Sequence, residues 1–345
     1  MNLDGKLTLD ARAQRANKDA VEMNVHLRQL DSLRTGVAIS ILDKHKIIQV
    51  AGEDAEAFLQ GQLSSDVREL SDENRAQYSS YSTAKGRMLA SFLVWRCDET
   101  YYLAVSADLA DYVAKRLSMF VLRSKVKVSI ADNLTLIGLA GKAALAALTI
   151  ESALASTPGP REMVRVEPGL LIGLPGTGWV LVVDEAGAEW VGEKLTDDAS
   201  LISSGVWEWR DIDAGIPWVH LATQEQFVPQ MANMELIGGV SFKKGCYPGQ
   251  EIVARSQYLG KLKRRLFKVA FKQPLAIGAK LYSPSVAGQS IGMLSAVCQV
   301  APEQYEGLAV VQFQAWEEGI YADEAYTIRL LQLDLPYSLN EGLEN

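Results

Sequence analysis

The chain has 345 residues, enough for two or three domains with cores of their own. Its 48% hydrophobic and 22% charged residues describe a soluble globular protein, and a net charge of −8 argues against wholesale nucleic-acid binding. No apolar run approaches the roughly 18 to 20 residues that span a bilayer, so no membrane partner is expected.

Residues 1–35 are rich in Ala and Arg, with Val21, Val25, Leu27 and Leu30 at loosely helical spacing, and read as a helical arm. Ile39–Val50 reads as strands with a turn at Asp43-Lys44. A helix follows over Glu53–Gln60, with acids in its first turn where the helix dipole favours them. Gln77–Tyr81 and Arg87–Trp95 read as strands joined through Lys85-Gly86, and Tyr101–Val105 as another. Over Asp108–Phe120, Leu109, Tyr112, Val113, Arg116, Leu117 and Phe120 are spaced for one helical face. A strand at Lys125–Ile130 closes a first αβ domain, residues 36–131.

The second αβ domain, 132–205, starts with a strand at Leu134–Leu139 and a helix at Lys142–Leu148. After a break at Thr157–Pro160 come strands at Met163–Val166, Leu170–Gly173 and Trp179–Val183, then a helix at Ala186–Leu195. Without a Gly-rich phosphate loop, both units suggest ferredoxin-like sheets more than a Rossmann fold. Residues 206–258 form an aromatic crossover, with Trp207, Trp209 and Trp218, that completes the first domain. Over 259–335 the pattern is all strand. Phe267, Val269 and Phe271 alternate with Lys268 and Lys272, as in a half-buried strand of a small antiparallel barrel or sandwich. The tail, 336–345, is expected to be disordered.

The densest chemistry lies in Lys243-Lys244-Gly245-Cys246-Tyr247-Pro248-Gly249-Gln250-Glu251. Glycine and proline shape a turn, and a helix expected over Gln250–Tyr258 would bring its positive dipole end near a thiol flanked by lysines. Both features favour thiolate. The plain alternative is a strand-to-helix turn with a small buried cysteine. From Lys243 to Lys272 nine basic residues face one acid, Glu251, a local cationic patch suited to a polyanion or simply a solvated face. Cys97, Cys246 and Cys298 contain no CxxC pair, and a zinc or iron–sulfur site built by one chain would need more ligands, which only His26, His45 and His220 could add. Three sparse cysteines and no signal peptide point to the reducing cytoplasm. Cys97 and Cys298, in strand contexts, read as inert core thiols.

Four separated signatures make the chain resemble the YgfZ branch of the YgfZ/GcvT folate-binding family. They are Phe58-Leu59-Gln60-Gly61-Gln62 with Ser64-Ser65-Asp66, Thr83-Ala84-Lys85-Gly86-Arg87, Arg210 with Ala214-Gly215-Ile216-Pro217, and Lys244 to Glu251. The resemblance implies an α+β protein. Two ferredoxin-like αβ domains and a C-terminal antiparallel β-barrel would form a ring around a central cavity holding tetrahydrofolate or a one-carbon derivative. It also implies partners among iron–sulfur enzymes or their assembly proteins, and an indirect link to tRNA. In the related aminomethyltransferases one strand carries two adjacent aspartates. Here those positions align with Ala90 and Ser91, neither of which can act as a carboxylate.

Folate needs aromatic walls, hydrogen-bonding groups and cations at its mouth. Trp207, Trp209 and Arg210 are candidates, although tryptophans set in strands are ordinarily core. Lys85 and Arg87 read either as a basic hairpin tip or as a cationic rim beside Cys246. Gln60, Gln62 and Asp66 read as polar groups near the pterin or as an ordinary helix end and turn. Lys244, Gly245 and Tyr247 complete the candidate site. Cys246 supports three roles: a redox or covalent-transfer thiolate, one ligand of a transient iron–sulfur cluster, or a Cys–His hydrolase nucleophile with His220. The functional expectation is a tetrahydrofolate-binding accessory protein for iron–sulfur cluster assembly or repair. A folate-dependent one-carbon transferase and an RNA-binding module gripping phosphates through 243–272 are the alternatives.

Overall fold

The computed structural model describes residues 21–71, 74–141, 145–146, 148–149, 156–195, 199–258 and 262–339. It is a mixed α and β protein with three sheets among these residues. The first sheet runs in the order Ala76–Ser82, Met88–Cys97, Thr100–Ser106, His45–Ala51 and Lys127–Ile130, with every neighbouring pair antiparallel. Its central strands are buried on both faces. Met88–Trp95 is therefore an apolar run broken only by Ser91, and not an alternating pattern.

The second sheet is ordered Ser200–Ile202, Ala38–Ile41, Thr135–Ala140, Gly178–Val183, Gly169–Leu174 and Met163–Val166. Its one parallel pair joins Ala38–Ile41 to Ser200–Ile202. Ala38–Ile41 and His45–Ala51 follow one another across the turn at Asp43-Lys44 but do not pair. The chain crosses from one sheet to the other there, and an alternation pattern cannot reveal which sheet a strand joins.

In the third sheet Lys280–Leu281, Gly292–Ala301, Gln304–Gln312, Arg264–Phe271, Arg329–Leu333 and Ile320–Tyr321 follow in order. Its edges meet through paired backbone bonds between Tyr282 and Tyr321, of 2.8 and 2.9 Å, which nearly close an antiparallel barrel. Phe267, Val269 and Phe271 fill this barrel, as their alternation indicates. Lys268, expected to face solvent, is instead buried. The helix Ser204–Asp213 packs over its face of the sheet, and Asp213 (2.7 Å) and Glu306 (3.5 Å) neutralise the ammonium.

A helix over residues 21–35 buries Leu30 and Leu33 and leaves Val21 and Val25 exposed. On Ala110–Met119 the buried face is Ala110, Val113, Ala114 and Leu117. Tyr112 and the adjoining Phe120 face outward, off the expected stripe. The helix expected over 142–148 lies largely outside the described residues. The tail is not disordered up to residue 339: Tyr337 donates to the Gly215 carbonyl at 2.8 Å, and Leu339 packs on the barrel core. Residues 340–345 lie outside the described residues.

The second sheet is tied to the crossover helix by an aromatic edge. Trp207 is 2% exposed, and a Cβ placed on Gly138 would lie 2.7 Å from three of its ring carbons. Neither the strand nor the helix can retreat, because both are packed on their other sides. Gly138→Ala should therefore destabilise the protein by about 1–3 kcal/mol, the usual cost of overpacking. Thermal unfolding should show a lowered Tm, and an unchanged Tm would refute this packing.

Candidate functional site

Two of the signatures meet through glycine. Gly86 (φ 71°) and Gly249 (φ 83°) both occupy the left-handed region. A Cβ on Gly249 would lie 2.5 Å from Gly86 Cα and 2.6 Å from the Thr83 carbonyl oxygen, while one on Gly86 would meet Ile252 at 3.0 Å. The hairpin tip Thr83–Arg87 and the turn before the helix Gln250–Tyr258 are thus pressed together backbone to backbone.

A buried lysine brings in a third signature. Lys244 is 6% exposed, and its Nζ donates to the carbonyls of Leu63 (2.5 Å) and Ser65 (2.9 Å), lying 5.0 Å from the centre of the buried Tyr247 ring. Burial is the main reason its pKa falls to about 8; the Asp66 carboxylate pulls the other way. Beneath these carbonyls lies a serine network that sequence reading missed. Ser65 Oγ donates to Ser79 Oγ at 2.7 Å, Ser80 Oγ to Ser64 Oγ at 2.9 Å, and Ser64 Oγ to the Gly239 carbonyl at 2.6 Å. The Ser-Ser pairs at 64–65 and 79–80 were its only sequence signal.

The candidate residues therefore divide. Cys246 and Lys85 are exposed, and a Cβ on Gly245 would meet nothing within 4 Å. Half-buried Arg87 donates to the Gln226 carbonyl at 2.6 Å. Lys244 and Tyr247 point inward, and burial pushes the Tyr247 hydroxyl up to about 12. Lys244 is accordingly not a rim cation. Gln60 and Asp66 hold their own turn: Gln60 Nε2 donates to Asp66 Oδ1 (2.9 Å) and Gln60 Oε1 accepts from Val67 N (3.0 Å). Arg68, bonded to the Asp66 carboxylate at 2.7 Å, is the main reason that group titrates near 2. Gln62 is half-buried, and its Oε1 has no protein partner. The His220 ring bonds to Ser106 Oγ at 3.0 Å, which gives no support to a hydrolase pair with Cys246. Cys298 is buried, its thiol pushed up to about 12 chiefly by burial, whereas Cys97 is half-exposed and not a core thiol.

Trp207 and Trp209 lie on the helix Ser204–Asp213, not on strands. Two positions apart on a helix, they cannot share a face. Trp207 is core. Trp209 lines a cleft of about 680 Å³ together with Arg34, Arg161, Arg210, Glu235 and Tyr337, and its Nε1 donates to Glu306 at 2.9 Å. The Arg34 guanidinium sits 4.6 Å from the centre of the Trp209 ring. Arg210 is buried; it pairs with Asp211 at 2.7 Å and donates to the Pro175 carbonyl. Arg210 Nε and Glu235 Oε2 have no protein partner, but both are closed off from the surface: Arg210 Nε lies 2.6 Å from where a Gly178 Cβ would sit, and the Glu235 carboxylate is paired with Arg265. Gly215 of the third signature admits the tail: a Cβ there would lie 2.7 Å from the Tyr337 hydroxyl. Arg34, Arg161, Glu235 and Tyr337 went unseen in the sequence because distant segments supply them. Cys246, Lys85 and Arg87 do not line this cleft.

Ala90 and Ser91, on the strand Met88–Cys97, are both buried. Ser91 Oγ accepts a hydrogen bond from Val219 N at 2.9 Å, a structural duty.

No family model matches the chain. It is 33% identical over 240 residues to the tRNA-modifying protein YgfZ of Cronobacter sakazakii (strain ATCC BAA-894), covering 69% of this chain and 73% of that protein. Identity to the tRNA-modifying protein YgfZ of Klebsiella pneumoniae (strain 342) is 35% over 242 residues, with the same coverage. The glycine cleavage system aminomethyltransferase T of Bartonella henselae has the same fold, with a TM-score of 0.71 over 91% of this chain and 88% of that one, at 18% identity. With this identity over more than two thirds of its relatives' length, and the signatures assembled as described, the chain belongs to the YgfZ family.

Proposed function

We propose that this chain is a cytoplasmic tetrahydrofolate-binding accessory protein for iron–sulfur cluster assembly or repair, supporting tRNA modification indirectly, with Cys246 essential. Under this reading two ferredoxin-like domains (36–131 completed by 206–258, and 132–205) and the barrel (259–335) form a ring around the cleft. The observation that carries the folate assignment is the cleft itself, with Trp209 on its wall and Arg34 and Arg161 as cations. Tetrahydrofolate would supply a reduced pterin there. The relatives' printed name supports the link to tRNA modification.

Cys246 works elsewhere under this reading. It is exposed and outside the cleft, so its thiol is open to a second macromolecule. Among the described residues no group of three His, Cys, Asp or Glu is placed to hold a metal ion. A transient cluster would take one ligand from Cys246 and the others from the partner. The one-carbon transferase alternative is disfavoured by the buried Ala90 and Ser91, which leave no carboxylate at those positions.

Three measurements test this account. Calorimetric titration with tetrahydrofolate should show binding, weakened about tenfold by Trp209→Ala through loss of an aromatic contact worth up to about 1.5 kcal/mol. Arg87→Ala, outside the cleft, should leave the affinity unchanged. Absence of binding by the wild type would remove the folate assignment. Cys246→Ala should fold normally yet fail to complement a strain lacking its homologue, and full rescue would remove the role given to the thiol. Lys244 makes a pH prediction. Its folded pKa of about 8 lies below the ordinary lysine value of 10.5, so the unfolded chain binds more protons between them and stability gains as pH rises through that window. The Tm of the wild type relative to Lys244→Met should therefore rise from pH 8 to pH 10, and a flat or falling difference would contradict the buried ammonium.

A further inference from the structure

The run of basic residues from 243 to 272 does not form one surface. Lys244, Arg265 and Lys268 are buried and spent on interior partners: the Leu63 and Ser65 carbonyls, Glu235, and the Asp213–Glu306 pair. Of the remaining six, Lys272 lies beyond the far end of the strand Arg264–Phe271 and Lys261 lies outside the described residues; the other four join the hairpin tip that Gly249 presses against Gly86. Lys85, Lys243, Arg255 and Lys263 are exposed, and Arg87 and Arg264 are half-buried. None of these six has a carboxylate partner among the described residues, although acids outnumber bases, 42 to 34, in the chain. Burial and then repulsion by Arg87 hold Arg264 below the usual arginine range, so each guanidinium feels the other's charge.

An exposed aromatic residue is tied to this segment through its backbone. Phe313 is 46% exposed, and its backbone N–H donates to the Lys263 carbonyl at 3.2 Å, next to Arg264. Cations unmatched by acids beside an exposed ring are what a nucleic-acid strand requires, phosphates meeting the charges and a base stacking on the aromatic. A site for an acidic protein has no such need of a stacking platform. We propose that this face, composed of the Thr83–Arg87 tip, the start of the 250–258 helix and Lys263–Arg264 with Phe313, binds RNA directly and brings it beside the exposed Cys246. This site is separate from the folate cleft and does not depend on it.

The test is fluorescence anisotropy of the full chain with a labelled, unmodified tRNA transcript across a salt series. Binding should weaken with salt on a log–log slope of about −4, as for four to six phosphate contacts. The double variant Arg255→Glu/Lys263→Glu should lose at least about tenfold in affinity and reduce the slope by about 2. Phe313→Ala should weaken binding about fivefold or more with the slope unchanged. Lys127→Glu, on the exposed edge strand of the first sheet, should change neither. Circular dichroism of each variant should match the parent. No binding at about 50 mM salt, or binding indifferent to the double reversal, overturns the proposal. Patch-dependent binding of a polyglutamate peptide in preference to tRNA also overturns it, by giving the surface to an acidic protein.

Discussion

A lysine ammonium cannot be buried unless its hydrogens are matched, and at Lys244 two backbone carbonyls and a tyrosine face match them. Those carbonyls belong to Leu63 and Ser65, some 180 positions earlier, so satisfying the charge draws the Cys246 loop onto the first αβ unit. The serine network below fixes where the carbonyls point. With Lys244 and Tyr247 both turned inward, Gly245 and Cys246 are left facing solvent. The exposure of the thiol is a consequence of this burial.

The contact between Gly86 and Gly249 completes the arrangement. Both backbones are left-handed and too close for any side chain, so the hairpin tip carrying Lys85 and Arg87 must lie against the cysteine turn. Charges from two distant segments then occupy one face, where neither segment alone would be notably basic. The cleft lined by Trp209 is built differently. Its wall and polar groups come from the 21–35 helix, two loops of the second unit, the Trp209 helix and the tail held by Tyr337. Thiol face and cleft are two places on one molecule, with Cys246 and Lys85 at the one and Trp209 and Arg210 at the other.

Much of the element pattern was readable directly. Met163–Val166 and Gln250–Tyr258 fall where their residues indicate, because short periods and turn residues act locally. Partnership was harder to read. Trp207 and Trp209 look alike in sequence, yet a helix turns them to opposite sides, one into the core and one into the cleft. Lys268 looks like the polar half of an alternating strand until a helix covers that side. The tail looks dispensable until Tyr337 finds the gap left by Gly215.

From its residues alone this chain declares its family signatures, the uncharged residues Ala90 and Ser91, and a cysteine set among glycines and lysines. These depend on residue identity and close spacing, which are local properties. Tertiary structure alone decided that Lys244 is an internal strut while Lys243 is not, that Cys246 stands outside the cleft, and that the charge of Arg87 reaches Arg264. Each of these rests on which distant backbone groups must be satisfied and which surfaces are covered, and burial of that kind is set only when all the sheets have closed around one another.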